Sequence, residues 1–519
     1  MNRGVNSIFL AFTLAAGASA MPASAAESNS SDYDRVIDAV VARYQLPGMA
    51  VGVIDDGKVV YTRTIGNLAS GKPMDADTLF QIASNTKAMT SSLLARLVQQ
   101  GKLRWDDPVT KYLPSFRMYD PWVTANMQVG DLLVHRSGLP AGAGDLMLWP
   151  TPNDFTPDDV VAGLQYLKPS YNFRAGYAYD NTLYIVAGQV AAAAGGAPYP
   201  ELMRREIFEP MGMNRCQVGT WNREEVGNVA DRYVQREDHR YVLEPARDPI
   251  VKPLTMDSAG GVRCSLNAML AWATNWLVPT PQQLEWLSPE QRHKEWTAYT
   301  PMPISKRNHD WDGTLFYGYG YGWRIADADG QMTVSHTGTL SGMNSAMMLL
   351  PFRKSGFVVL INADAENARS VLIEMLTKHF TAPDKVRSAA SYADELERDR
   401  QQQSISHVPD TSSRKPATAA ELATQLGTWR DPWFGESRIC AQGGGVHFAS
   451  LRSPRMTGQV MRVGAKYLVH WDSDSVDTEA WLRFPEKSGG TLRLAKIDPD
   501  ADFSTDFEDL AFTREHGCE

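Results

Sequence analysis

Two strand-like runs near residue 50 and four more between residues 321 and 362 enclose a long, helix-rich interval. A sheet that uses both sets has to be closed by parts of the chain far apart in sequence. That implies an α+β architecture, an antiparallel sheet flanked by helices with a helical insertion. The early runs, Met49–Ile54 and Val59–Thr64, are joined by Asp55-Asp56-Gly57-Lys58, a hairpin signal. The later runs are Tyr321–Ile325, Met332–His336, Ser345–Leu350 and Gly356–Asn362. Helices are expected over Tyr33–Tyr44, over Ala88–Gln100 with Gly101 as its cap, and over Arg369–Phe380.

Composition shifts beyond about residue 386. Glu395–Gln403 is charged and Gln-rich, and Ser404–Lys415 is rich in Ser, Pro and Thr, a linker signature. From Ala419 short alternating strands recur between glycine turns, at 446–448, 467–471, 481–484 and 491–494, the spacing of a small all-β barrel or sandwich. At the other end, Arg3, the apolar run Ile8–Ala16 and the small residues Ala18-Ser19-Ala20 and Ala23-Ser24-Ala25 have the layout of a cleavable secretory signal. The expected organisation is a signal peptide at 1–26, a mixed domain at 27–385, a helix or linker at 386–418 and a β-domain at 419–519. Localisation is then periplasmic or secreted, and no later stretch is apolar for long enough to span a membrane.

The charge balance, 51 Lys plus Arg against 60 Asp plus Glu, sets a nucleic-acid partner aside. Four cysteines fit an oxidising compartment, and none forms a CxxC pair of the kind a structural zinc needs. One bridge per domain is the economical arrangement, and four buried thiols are the other. Cys440 lies on an early strand of the β-domain and Cys518 just past its last. Closing a barrel brings first and last strands together, which favours a bridge between these two.

Chemistry enters at Ser84-Asn85-Thr86-Lys87, where a serine and a lysine three residues apart share one face at the start of a helix. A serine hydroxyl needs a neighbouring base, and a lysine shielded from water can be one. The spacing alone is weak, because Ser412–Lys415 repeats it inside the linker-like stretch. Tyr179-Asp180-Asn181 is the one Tyr-x-Asn of the chain, and a tyrosine beside a lysine can also move a proton. His336-Thr337-Gly338 ends a strand-like run and is followed by small residues that would let a substrate approach backbone N–H groups.

The order SxxK, YxN, HxG resembles the penicillin-recognising serine hydrolases: class C-like β-lactamases, DD-peptidases, and related esterases and aminopeptidases. Leu79–Ala83, Gly101–Pro114, Asp131–Pro140, Ala259–Val262 and Tyr319–Trp323 are similar to further family stretches, so the resemblance covers about residues 33–380. Thr428–Gly435 and Asp502–Leu510 resemble the lipocalin-like barrel appended to many members.

The resemblance implies a serine β-lactamase-like catalytic domain with Ser84 as nucleophile, Lys87 as its base and Tyr179 as proton shuttle. Asn181 would hold the substrate amide and the lysine. His336 and Gly338 would line the substrate-facing strand, and the N–H groups of Ser84 and Thr339 would form the oxyanion hole. The partner is a small molecule or peptide, and neither a metal nor an organic cofactor is needed. His336 stands where β-lactamases and DD-peptidases have lysine, which favours peptidase and esterase chemistry and substrates without a free carboxylate. A carboxylesterase, a β-lactamase or DD-peptidase, and a catalytically silent peptide sensor are the alternatives. Pocket shape is expected to depend on Ala141–Thr156, on the loop Ser305–Thr314 and on how the barrel docks.

Overall fold

The computed structural model describes residues 23–518 apart from Glu237, Arg247 and Ser488, with side chains from Ser31 onward except at 403–407. The signal-like segment therefore lies outside the described residues, save 23–26, which fall in the first helix.

That helix, α1 (Ala23–Tyr44), precedes the hairpin β1 (Met49–Asp55) and β2 (Lys58–Ile65). Helices α2 (Thr86–Gln99), α3 (Thr182–Gly195) and α4 (Leu266–Leu277) follow, with many short turns between them. The chain then returns to the sheet as β3 (Thr300–Pro301), β4 (Tyr317–Tyr319), β5 (Arg324–Ala328), β6 (Gln331–Leu340), β7 (Met343–Leu350) and β8 (Ser355–Ile361). The eight strands lie in the order β2-β1-β8-β7-β6-β5-β4-β3, each antiparallel to its neighbours. Residues near 50 thus pair with residues near 360, as the distribution of strand signals requires.

Strand alternation divides this sheet between two cores. Ala50 and Ile54 of β1 with Val358 and Leu360 of β8 face the insertion, where α2, α3 and α4 pack. Val51, Val53, Phe357, Val359 and Ile361 face the other side, where α1 meets α5 (Glu366–Thr381) through Ile37, Val40, Leu372 and Leu376. Both faces are covered, so these strands read as near-continuous apolar runs.

One detail differs from the sequence expectation. Tyr321-Gly322-Trp323 is the turn between β4 and β5 rather than a strand, its aromatic rings buried in the core. The charged, Gln-rich run lies within helix α6 (Ala389–His407), which buries Tyr392, Ala393 and Leu396 against α1 and α5.

Beyond a short strand β9 (Lys415–Pro416) come β10 (Gly427–Asp431), β11 (Gly435–Gln442), β12 (Gly445–Ser450), β13 (Thr457–Val463), β14 (Lys466–Trp471), β15 (Ala480–Arg483), β16 (Thr491–Lys496) and β17 (Ala511–His516). The last eight pair in sequence and close through β17 on β10, an up-and-down barrel, with β9 added to β13. Its interior is filled by side chains, Phe448 meeting Trp471 and Phe512 edge-on. Both disulfides form, Cys216–Cys264 in the first unit and Cys440–Cys518 across the barrel seam. The barrel docks on the helical insertion, with Arg452 ion-paired to Asp159 at 2.8 Å and Phe434 against Phe155. Among the described residues no helix is long and apolar enough to cross a membrane.

Candidate functional site

Ser84 occupies a tight turn, Ala83–Asn85, that runs directly into α2. Ala83 is held at φ +48, a left-handed conformation that a non-glycine residue keeps only when its surroundings impose it. Here β6 and β7 impose it. Ser345 Oγ on β7 donates to Ile82 O at 2.6 Å and accepts from Asn85 Nδ2 at 2.7 Å, clamping both sides of Ser84. The turn reaches β7 only because Gly338 lies between them, where a Cβ would stand 2.3 Å from Ile82 O. Gly338, expected to line the substrate-facing strand, makes room for the serine turn.

One helical turn on, Lys87 is fully buried. Its Nζ lies 3.0 Å from Ser84 Oγ, 2.8 Å from Asn181 Oδ1 and 3.0 Å from Ala259 O. Tyr179 presents its ring to the amine, with Nζ 4.8 Å from the centroid. Asn181 is the last residue before α3, so helix geometry holds it firmly, and Asp180 beside it accepts from Ser137, Thr182 and the Leu183 N–H. The middle residue of the YxN stretch is therefore a structural cap. Asn181 Nδ2 in turn donates to Asp145 Oδ2 at 2.7 Å, and Ser504 Oγ of the barrel donates to the same oxygen at 2.7 Å.

His336 departs from expectation. The strand does not end at His336-Thr337-Gly338 but continues to Leu340, and alternation turns His336 inward. Its imidazole is buried, Nδ1 donating to Thr337 O at 2.7 Å and Nε2 accepting from the Tyr319 hydroxyl at 2.8 Å. Burial, with the charges of Arg324 and Lys87 nearby, pushes its pKa far below the ordinary range, so the ring is neutral. His135 is held neutral in the same way, its ring against Tyr179 at 4.3 Å and its Nδ1 accepting from Asp180 N–H.

Thr337 and Arg324 face the cleft instead. Arg324 on β5 donates to Thr337 Oγ1 at 2.6 Å, and its permanently charged guanidinium opens on the cleft. Thr339 projects from the same edge, braced by Arg369, which donates to Gly338 O at 2.6 Å and Thr339 Oγ1 at 2.8 Å.

Ser84, Tyr179, Asn181, Arg324, Thr337 and Thr339 line one cleft of about 1650 Å³. Its walls come from both units. Leu146, Trp149 and Pro150 contribute from the 141–156 stretch, and Asp477, Asp502 and Phe503 from the barrel. The segment Ser305–Thr314 contributes nothing: it carries a short helix whose Trp311 packs on Tyr392, away from the cleft. Burial and the carboxylates of Asp502, Asp364 and Glu366 push Asp477 up to about 6. Among the described residues no group of three His, Cys, Asp or Glu side chains is placed to hold a metal ion.

Sequence reasoning had not singled out Arg324, Asp145, Ser345 or Ser504. Arg324 is placed by strand register and Ser345 and Ser504 by contacts across hundreds of residues, while Asp145, Ser504 and Ala259 fall inside stretches marked for pocket shape or family resemblance without being named for a role.

The same constellation of folds occurs in known proteins. The octameric penicillin-binding protein homologue from Pyrococcus abyssi superposes with a TM-score of 0.59 over 93% of this chain and 99% of its own, at 21% identity. The unguisins hydrolase ungD' of Aspergillus campestris is 28% identical over 71% of this chain and 68% of its own length. The D-alanyl-D-alanine-carboxypeptidase/endopeptidase AmpH of Escherichia coli K12 is 26% identical over 52% of this chain and 68% of its own. The Beta-lactamase family model matches residues 33–382, most of the chain and all of the residues around Lys87 except Ser504. The chain therefore belongs to the β-lactamase and penicillin-binding family of serine hydrolases.

Proposed function

We propose that this protein is an exported serine peptidase that acts on small or modified peptides through an acyl-enzyme. The observation that carries the reading is the buried amine of Lys87 against Ser84 Oγ. A neutral amine has two N–H groups and one lone pair. Ala259 O and Asn181 Oδ1 can only accept, so they take the two N–H groups and leave the lone pair facing the serine hydroxyl. Lys87 then accepts the Ser84 proton as Oγ attacks the carbonyl, and the N–H groups of Ser84 and Thr339 stabilise the oxyanion. Tyr179, at the cleft wall beside Lys87, passes a proton to the leaving group and activates the water that releases the acyl group.

The cleft exceeds the volume usual for a small-molecule site, which favours a peptide. Arg324 revises the substrate reading drawn from His336. A fixed guanidinium beside Thr337 is suited to a carboxylate, so carboxylate-bearing peptides are the favoured substrates. The same cation serves a penicillin carboxylate, which makes a β-lactam the second reading.

A fluorophosphonate probe should label wild type and not Ser84→Ala. A panel of aminoacyl p-nitroanilides of both configurations, p-nitrophenyl esters and nitrocefin then ranks the classes. Faster turnover of nitrocefin or of simple esters than of any peptide amide would overturn the peptidase reading.

A further inference from the structure

An asparagine side chain can face a lysine amine with either its oxygen or its NH₂, and the two orientations have nearly the same shape. Only the oxygen supports the lysine; the NH₂ would oppose it. The orientation of Asn181 is therefore a condition for the proton transfer at Ser84, and Lys87 alone does not fix it.

What fixes it lies on the far side of the amide. Asp145 Oδ2 accepts from Asn181 Nδ2, which leaves Oδ1 of Asn181 directed at Lys87. Asp145 is fully buried and its Oδ1 has no hydrogen-bond partner, so the carboxyl has few other ways to be satisfied. Burial also raises its pKa well above the usual carboxylate range. A protonated carboxyl could turn its O–H toward Asn181 and flip the amide. The second donor on Oδ2, the hydroxyl of Ser504, opposes that rotation.

Ser504 belongs to the barrel, on the connection between β16 and β17, and it is firmly presented. Its N–H donates to Asp502 Oδ1 at 2.8 Å, and Thr505 N–H to Asp502 O at 3.0 Å. Phe503 beside it lies edge-on to Tyr179, ring centroids 5.6 Å apart. Under this strap runs Gly142, at φ +73, whose N–H donates to Tyr179 O at 2.9 Å. A Cβ there would stand 2.3 Å from Phe503 O, so the barrel strap and the stretch that holds Tyr179 are in backbone contact.

We propose that Asp145 and Ser504 are positioning residues that set the amide of Asn181 toward Lys87, so that the C-terminal barrel completes the active site. The proposal rests on the acyl-enzyme reading above, in which Lys87 takes the serine proton.

The test uses the full chain and the fluorophosphonate probe, whose labelling rate reports Ser84 reactivity without a known substrate, together with kcat and KM for whichever panel substrate is turned over. Ser504→Ala is expected to slow labelling and lower kcat about 3- to 10-fold, with KM and melting temperature little changed. Ser504→Thr, which keeps the hydroxyl, should restore most of the rate. Asp145→Asn, nearly isosteric but able to donate as well as accept, should cost about tenfold or more by freeing the Asn181 amide. Wild-type rates in both Ser504→Ala and Asp145→Asn, or a Ser504→Thr as slow as Ser504→Ala, would overturn the positioning role while Ser84-dependent labelling stands. Labelling that persists in Ser84→Ala would instead overturn the acyl-enzyme reading, and this one with it.

Discussion

The Ser-x-x-Lys spacing occurs twice in this chain, and the two copies sit in opposite surroundings. Lys87 is fully buried with three oxygen neighbours, and Ser84 is clamped from both sides by Ser345. Ser412 and Lys415 are both exposed, on the approach to the barrel and its edge strand β9. Water satisfies an exposed ammonium and competes for every hydrogen bond it makes. Burial with a matched set of acceptors removes that competition and aims the amine. The motif is thus a statement about spacing, and the proposed mechanism assigns reactivity to the copy whose surroundings exclude water.

The most severe way to break this contrast is Ser84→Ala. Hydrolysis and probe labelling should fall by about 10³-fold or more, as expected for loss of a nucleophile. The fold should persist, since the change removes one oxygen from a half-buried position. Retained turnover, or a fall in melting temperature like that of a core cavity, would show that burial has been mistaken for reactivity.

His336→Lys asks whether burial alone suffices. The imidazole site holds one hydroxyl and one carbonyl oxygen, and it already feels Arg324 and Lys87. A lysine there would be buried beside the Arg324 guanidinium, so its pKa would be depressed below that in the unfolded chain. The unfolded state then binds more protons, and the deficit is present at neutral pH and shrinks as pH rises toward the free lysine value. A loss of about 2–4 kcal/mol near pH 7 is expected, readable in urea titrations at pH 7 and pH 9.5. Wild-type stability at pH 7 would show that this strand accepts a second buried amine.

How much of this was legible in sequence follows the range of each interaction. Ser84 and Lys87 sit on one helical turn, and Tyr179 and Asn181 flank a helix start, so local spacing was enough to single them out. The orientation of His336 was not legible, because side-chain direction in a strand depends on parity, and the run of strand-like residues does not reveal that β6 continues to Leu340. Arg324 faces the cleft beside Thr337 because β5 pairs Arg324 with Ser335, a register that the intervening turn sets. Helix α6 reads as polar in sequence because, among its described side chains, only Ala389, Tyr392, Ala393 and Leu396 are apolar and buried, and most of the rest of its surface is polar. The Ser504–Asp145 contact joins residues 359 apart, beyond the reach of any local pattern.

Arg324→Ala sharpens the contrast at the substrate rather than at the nucleophile. Removing the guanidinium should lower kcat/KM for carboxylate-bearing peptides by about 10- to 100-fold, the worth of a charge-assisted hydrogen bond. Neutral esters should change by no more than about twofold, since Ser84 and Lys87 keep their partners. Equal losses on both substrate classes would mean that Arg324 supports the tyrosine cluster around it and does not select among substrates.

The smallest expected effect is at the exposed copy, and it is the most exacting control. Ser412 contributes its backbone N–H to Asp410 Oδ1 at 2.8 Å, a bond that alanine keeps. Its hydroxyl bonds the same carboxylate at an exposed site where water competes for it, and Lys415 pairs with β13 through its backbone. Ser412→Ala should therefore leave stability within about 0.5 kcal/mol of wild type, as surface substitutions usually do. Labelling and turnover should be unchanged, because nothing near residue 412 shields an amine or holds an oxyanion. The measurement is a paired one, Ser412→Ala alone and in the Ser84→Ala background. If probe labelling survives in Ser84→Ala and disappears in the double variant, the exposed serine is reactive, and exclusion of water does not decide which of the two copies reacts.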